Sequence, residues 1–446
     1  MLLKFSSSAT GLIWLFITLS GYTQAYPNIV LIMADDLGYG DLGSYGATDI
    51  RTPSIDSIAS EGILMTNFYS NAPICSPTRA ALITGRYQQR YNIEEPFGGT
   101  TEQFGLTATG HSLPQLLKNN GYETALVGKW HLGGAPETNP IAHGFDYFFG
   151  FKNGGYIDYY FHDRGPDNPD LWENETQIKK EGYITDLITE HAIEFIEQNA
   201  NQPFFIEVFY NAPHWPYQRP DQPSRSLNAR HLYPDSEDTS TREDYISMVE
   251  QMDQGVGNIL ATLTHLGLTE NTIVIFTSDN GGEWLSRNDP FSNRKLTVWE
   301  GGIRVPALIT WPGEIPAGII SNQVGITMDL TASIIEATGT QLPTGLNLDG
   351  INLFPIASGK ASEVDRTLYW RTSWGNRNQR AVRDGDWKLL IEDSHVFVFN
   401  LSEDPGEHND LANQRQDVAR RLRLMHDNWA MSVTAEAEAR GLLPTD

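Results

Sequence analysis

Four short runs of the chain are almost continuously apolar: residues 28–33, 124–127, 204–209 and 272–276. Runs of this length, without polar alternation, predict strands buried on both faces. Between them, apolar residues recur at helical spacing. Thr185–Gln198 carries them at 187, 188, 192, 195 and 196, and Thr241–Leu266 at 245, 246, 249, 252, 256, 259, 260 and 263. Ser112–Asn119 reads as a shorter helix that stops before Gly121. Strands alternating with helices predict an α/β fold, a large and mostly parallel sheet sandwiched by helices. Asp163–Lys180 and Pro213–Asp238 are polar, Pro-rich and weakly periodic, and read as loops on the sheet's active edge. Beyond about residue 355 the pattern changes. Thr367–Arg371, Gln379–Arg383, Trp387–Glu392 and His395–Asn400 are strand candidates joined by hairpin turns at Asp384-Gly385 and Glu392-Asp393. A helix from about Gln414 to Ala439 follows. The expected division is a catalytic α/β domain over 26–355 and a smaller antiparallel-sheet-plus-helix domain over 356–446.

Composition narrows the picture. The chain has 446 residues, 40% hydrophobic and 20% charged, which is globular and long enough for a large core. A net charge of −25 argues against nucleic acid and anionic membranes as partners, but leaves room for an anionic substrate in a local cationic pocket. Residues 1–25 read as a signal peptide: Lys4, a short apolar core over 11–19, and Thr23-Gln-Ala25 as a cleavage site. The mature chain is then expected to begin near Tyr26, exported to the periplasm or secreted from a bacterium, with no later membrane segment. Cys75 is the sole cysteine, so no disulfide staples the fold within the chain.

That cysteine opens Cys75-Ser-Pro-Thr-Arg79. Pro77 suits the first turn of a helix and Gly85 its end, so Cys75 falls at a helix N-terminus, where an anion is favoured, with the Arg79 fork a turn away. A lone cysteine reads first as a small buried apolar residue and second as a thiolate nucleophile. Each buried strand leads at once into polar chemistry: Asp35-Asp36, then Lys129-Trp-His131, then Asn211-Ala-Pro-His214, then Asp279-Asn280. In open α/β sheets ligands bind beyond the carboxyl ends of the strands. Asp35, Asp36, Asp279 and Asn280 are hard oxygen donors that suit Ca²⁺ or Mg²⁺ better than Zn²⁺. Either pair alone would serve as a helix cap or turn; two pairs at two strand ends favour a cation. Lys129, His131 and His214 add positive or proton-carrying groups, and Lys295 follows the fourth strand, where spacing alone leaves it a surface lysine.

Taken in order, the Ala34-Asp-Asp36 strand end, Cys75-Ser-Pro-Thr-Arg79, Gly128-Lys-Trp-His-Leu-Gly133, Ser278-Asp-Asn-Gly-Gly282 and Lys295-Leu-Thr-Val-Trp-Glu-Gly-Gly-Ile-Arg-Val-Pro306 resemble the type I sulfatases of the alkaline-phosphatase superfamily. The likeness runs from about Asn28 to Ala412. It implies an alkaline-phosphatase-like fold and a formylglycine made by oxidation of Cys75, installed by a formylglycine-generating or sulfatase-maturating enzyme. It also implies Ca²⁺ (Mg²⁺ as the alternative) held by Asp35, Asp36, Asp279 and Asn280 with residue 75. Arg79, Lys129, His131, His214 and Lys295 would surround the sulfate. The family's small polar residue after the Phe-Phe-Gly segment has no assignable equivalent in Gly150–Gly155.

In the mechanism this implies, the hydrated aldehyde attacks sulfur in line with Asp279 as base, giving a covalent sulfo-enzyme. His214, with Lys295, protonates the leaving oxygen, and His131 takes the proton whose loss expels sulfate. The expected reaction is hydrolysis of sulfate esters on a sulfated oligo- or polysaccharide, a galactan such as carrageenan or agaran first and a glycosaminoglycan second. Aromatic residues near the loops (Tyr156, Tyr159, Tyr160, Phe161, Trp172, Trp215, Tyr217) with Arg164 and Arg219 suit sugar binding. Two other readings stand beside it: a phosphonate or phosphate ester hydrolase of the same superfamily, and a non-catalytic binder of sulfated glycans.

Overall fold

The computed structural model describes residues 26–97, 105–165, 168–223, 239–374 and 377–443, so the signal-peptide segment lies outside the described residues. A ten-stranded sheet forms its centre. Five parallel strands make its middle, in the order Thr272–Ser278, Asn28–Ala34, Phe204–Phe209, Glu123–Lys129 and Tyr147–Phe151. Residues of one strand feed two cores in alternation. Val30, Ile32 and Ala34 join one, beneath the helices Pro53–Ser60, Ile184–Gln198 and Arg242–His265. Ile29, Leu31 and Met33 join the other, beneath Cys75–Thr84, Leu113–Asn119 and Met328–Ala337. Burial on both faces is why these strands read as continuous apolar runs.

The sheet is less purely parallel than its middle. Ala307–Thr310 runs antiparallel to both Thr272–Ser278 and Ile63–Met65. On the far edge Trp172–Glu173 and Thr176–Gln177 form an antiparallel hairpin. That hairpin corrects the reading of 163–180 as loop throughout: two-residue strands are too short for any periodicity to show.

The C-terminal part is an antiparallel meander of Thr367–Thr372, Gln379–Asp384, Trp387–Glu392 and His395–Asn400, followed by the helix Gln416–Ala439. It is packed hard against the larger part. Trp370 is buried with Tyr69, Tyr87 and Ile303, and its indole N–H donates to the Ser70 carbonyl at 2.8 Å. Arg86 and Arg90 both pair with Glu436 of the last helix.

Parallel strands present their carboxyl ends on one edge, and the order of the middle strands brings the four polar strand ends side by side. Backbone bonds continue past the strands: Asp279 N–H to Ala34 O at 3.2 Å, Tyr210 N–H to Met33 O at 3.0 Å, and Asp35 N–H to Ala212 O at 3.1 Å. Gly128 has φ +119°, and a Cβ there would stand 1.9 Å from the Phe209 carbonyl oxygen. Only glycine allows that approach, which lets the strand stay paired on both sides up to Lys129, at its carboxyl end.

Candidate active site

Cys75 is the first residue of the helix Cys75–Thr84, which stops at Gly85 in the left-handed conformation (φ +66°). The helix start therefore faces the sheet's carboxyl edge with its unpaired N–H groups. Asp36 and His131 also have positive φ, +66° and +58°. Such backbone costs about 1–3 kcal/mol per residue and is retained where a side chain must be aimed.

The side chains converge. The Cys75 thiol donates to Asp35 Oδ1 at 3.4 Å. Lys129 Nζ donates to Asp35 Oδ2 and, at 2.8 Å, to the Gly155 carbonyl. Arg79 donates from Nε and Nη2 to Asp279 Oδ2, at 3.1 and 2.8 Å, and from Nη1 to the Lys129 carbonyl at 2.9 Å. Lys295 Nζ donates to Asp36 Oδ2 at 2.7 Å and lies 3.1 Å from His214 Nε2. Asn280 Nδ2 donates to Asp36 Oδ1 at 2.7 Å, while its own Oδ1 is buried without a hydrogen-bond partner. His131 Nε2 meets the Phe97 carbonyl at 2.6 Å, and its Nδ1 is buried without a partner.

Burial and crowding set the charges. Burial first, then neighbouring Asp279, raises Asp35 to about 8 although Lys129 and Arg79 oppose it. Burial also raises Asp36, but the Lys295 and Lys129 charges outweigh it and hold that carboxyl at about 2. Asp279 stays below the usual carboxylate range because Arg79 and Lys129 overcome its burial. Burial, then Lys295, lowers His214 to about 3, and burial, then Lys129, holds His131 well below the usual imidazole range. Both imidazoles are therefore neutral and Lys295 carries the proton of the Lys295–His214 pair. Burial pushes the Cys75 thiol well up, which disfavours its reading as a thiolate nucleophile.

The family described as Sulfatase matches residues 27–340, and the C-terminal family of N-sulphoglucosamine sulphohydrolase matches residues 291–430. Mouse N-acetylgalactosamine-6-sulfatase is 38% identical over 402 residues, covering 84% of this chain and 73% of its own length. The chain belongs to the sulfatase family. It is a type I sulfatase of the alkaline-phosphatase superfamily, and its activity is sulfuric ester hydrolysis. The uncharacterized sulfatase YdeN of Escherichia coli K12 is 31% identical over 477 residues, covering 94% of this chain and 80% of its own. Among solved structures, Ps i-CgsB in complex with k-i-k-neocarrahexaose superimposes with a TM-score of 0.81 at 32% identity, covering 91% of this chain and 93% of that one.

All ten residues singled out from the sequence meet in this sulfatase's site: Asp35, Asp36, Cys75, Arg79, Lys129, His131, His214, Asp279, Asn280 and Lys295 are joined by the contacts above or, for His131, by Gly155 against its ring. The structure adds two details. The carboxyl hydrogen-bonded to residue 75 is Asp35, while Asp279, expected as the base, accepts from Arg79 at Oδ2. The Gly150–Gly155 segment contributes a carbonyl to Lys129 and bare space: a Cβ on Gly155 would come within 3.1 Å of the His131 ring. No side-chain pattern signals either contribution.

The expected sugar platforms separate into kinds. Tyr159 is fully buried, and its hydroxyl donates to the Asn211 and His214 carbonyls, each at 2.9 Å, so it holds the His214 loop rather than a ligand. Tyr217 is buried, and Arg219 pairs with Asp221. Trp172 lies under Lys152, whose ammonium sits 4.2 Å from its ring. Tyr156 and Trp215, the residue after His214, pack edge to face at 5.4 Å.

The donors fit a divalent cation. One ligand atom each of Asp35, Asp36, Cys75 and His214 lies within 4.8 Å of the others, and the unpartnered Asn280 oxygen is a further hard donor. His214 is the least suited of these, since its Nε2 faces the Lys295 ammonium. A raised folded-state carboxyl stabilises the protein below its unfolded value of 3.8, and that stability is lost as pH rises through about 8. A cation would replace the Asp35 proton. The rise in melting temperature on adding Ca²⁺ should therefore grow from pH 5 to pH 8, with proton release in calorimetry at the lower pH. A shift that is absent, or the same at both values, would contradict this assignment.

Proposed function

We propose that this sulfatase is exported and removes sulfate esters from a sulfated oligo- or polysaccharide, with formylglycine at position 75 and Ca²⁺ held by Asp35, Asp36, Asp279 and Asn280, Mg²⁺ being the alternative. The observation that carries the reading is the environment of residue 75. A small side chain at a helix N-terminus, wholly buried, stands 3.4 Å from Asp35, and Lys129 and Lys295 both act on its charge. No helix of the described residues is long and apolar enough to cross a membrane.

A bound cation would supply fixed positive charge against the ester oxygens, and a hydrated formylglycine would supply the nucleophilic hydroxyl that a buried thiol does not. The protein's own groups do the rest. Arg79 and Lys129, buried and held by carboxylates, bring cationic charge to the site without reorganising. Lys295 holds a proton 3.1 Å from His214 Nε2, so the pair can deliver it to the leaving sugar oxygen. His131 is neutral with Nδ1 unpartnered, and can accept a proton on the other side.

The substrate class rests on relatives. A 32% identical structure holds a neocarrahexaose, and the mouse relative is named for N-acetylgalactosamine-6-sulfate. A sulfated galactan such as carrageenan is the first assignment and a glycosaminoglycan the second. Sulfate release from size-defined carrageenan and glycosaminoglycan oligosaccharides, measured by ion chromatography beside an aryl phosphonate, tests it. Release from a carrageenan oligosaccharide is expected. Turnover of the phosphonate with none of any sulfated sugar would favour the phosphonate hydrolase.

A further inference from the structure

Behind the Lys295 turn lies a cluster of buried charges with no part in the chemistry so far. Lys388 is in the second-last strand of the C-terminal sheet, its side chain wholly buried. Its ammonium stands 2.8 Å from Glu300 Oε1 and 2.8 Å from Glu407 Oε1. The other Glu300 oxygen accepts from the Tyr69 hydroxyl at 2.6 Å and from Arg304 at 3.2 Å. Glu407 Oε2 accepts the Glu300 backbone N–H at 2.6 Å. Apolar residues would fill such a site at lower desolvation cost, so the network is best explained by what it holds in place.

It holds a turn. Glu300 opens the single turn Glu300–Ile303, and the two glycines after it are seated on the loop that follows Asn280. Gly281 N–H donates to Gly302 O at 2.9 Å, and Lys295 N–H donates to Gly282 O at 3.1 Å. A Cβ on Gly281 would come within 2.0 Å of Gly301 O, and one on Gly302 within 1.9 Å of Thr297 O. Backbone lies directly on backbone, so the turn cannot move without moving the residues on either side of Gly281 and Gly282.

We infer that Lys388, acting with Glu300 and Glu407, is a positioning residue for the active site. It fixes the Glu300–Ile303 turn, and through it Asn280 and Lys295. The inference rests on the proposed roles of Asn280 toward the cation and of Lys295 toward the ester. It makes the C-terminal sheet a working part of the site. Without Lys388 nothing joins the Glu300 and Glu407 side chains: Glu407, already raised to about 7 by burial, takes up a proton once its neighbouring cation is gone, Glu300 stays ionised beside Arg304 and Arg383, and the ammonium bridge between the turn and Glu407 is lost.

The test uses the full mature chain. Ca²⁺ affinity by calorimetry and inhibition of aryl sulfate turnover by inorganic sulfate are measured for the parent, Lys388→Met, and Lys388→Met with Glu407→Gln. The single variant should bind Ca²⁺ about tenfold or more weakly and need a similarly higher sulfate concentration for inhibition. The second substitution, whose amide can donate to Glu300 Oε1 in place of the ammonium while its oxygen still accepts the Glu300 N–H, should restore part of both. Lys388→Met protein that melts lower, yet binds Ca²⁺ and sulfate as the parent does, would overturn the inference. Should Lys388→Met yield no folded protein, Lys388→Arg keeps the charge but forces a larger, planar donor into a fully buried site built around one ammonium. Several-fold weaker binding by that variant supports the inference and unchanged binding overturns it. A parent that itself binds no Ca²⁺ would instead mark the failure of the proposed site.

Discussion

Cys75→Ala is expected to lose sulfate release by a factor on the order of ten-thousand-fold or more while remaining folded. The side chain is small and fully buried, so its loss leaves a small cavity rather than an exposed face. What it removes is the group at the focus of the site. Asp35, Asp36 and Asp279 are each engaged by a lysine or an arginine and offer no free nucleophile in its place. Steady-state release of sulfate from an aryl sulfate, alongside a thermal melt, checks both halves of the expectation. The comparison also separates an enzyme from a binder, because a protein that only held sulfated glycans would keep its affinity and have no turnover to lose.

Lys295→Ala should reveal which step its proton serves. A sugar alkoxide is a poor leaving group and must be protonated as it departs, whereas a nitrophenolate leaves unaided. Turnover of a sulfated sugar should therefore fall about a hundred- to ten-thousand-fold, and turnover of nitrophenyl sulfate far less. His214→Ala should show the same asymmetry, because Lys295 Nζ lies 3.1 Å from His214 Nε2 and burial with Lys295 holds that imidazole neutral. Equal losses on both substrates would mean that Lys295 only binds the sulfate. Parallel kcat and KM measurements on the two substrates decide between these.

The convergence of the candidate site was legible in the sequence because its polar residues follow the apolar runs closely. Asp35-Asp36, Lys129, His214 and Asp279-Asn280 each sit at or just past the end of a buried strand, and a parallel sheet gathers such ends on one edge. Local periodicity also carried the long helices. It failed where pairing is distant. Ile63–Met65 and Ala307–Thr310 are three and four residues long, and Ala307 pairs with Met65 across the chain. The strand Tyr147–Phe151 was hidden by Gly150, which lies opposite Gly128. Tyr159 looked like a sugar platform because aromatic character in a loop does not tell exposure from burial. Lys388 gave no signal, since its partner Glu300 is 88 positions away and only the tertiary fold shows both to be buried.

The central claim is that residue 75 of the active protein is no longer a cysteine. Mass spectrometry of the peptide spanning residue 75, from enzyme purified in active form, tests it directly. The account predicts a peptide that has lost its sulfur and carries an aldehyde trapped by hydrazine reagents, in proportion to specific activity. Full activity from protein whose residue 75 is wholly an unmodified thiol would contradict it.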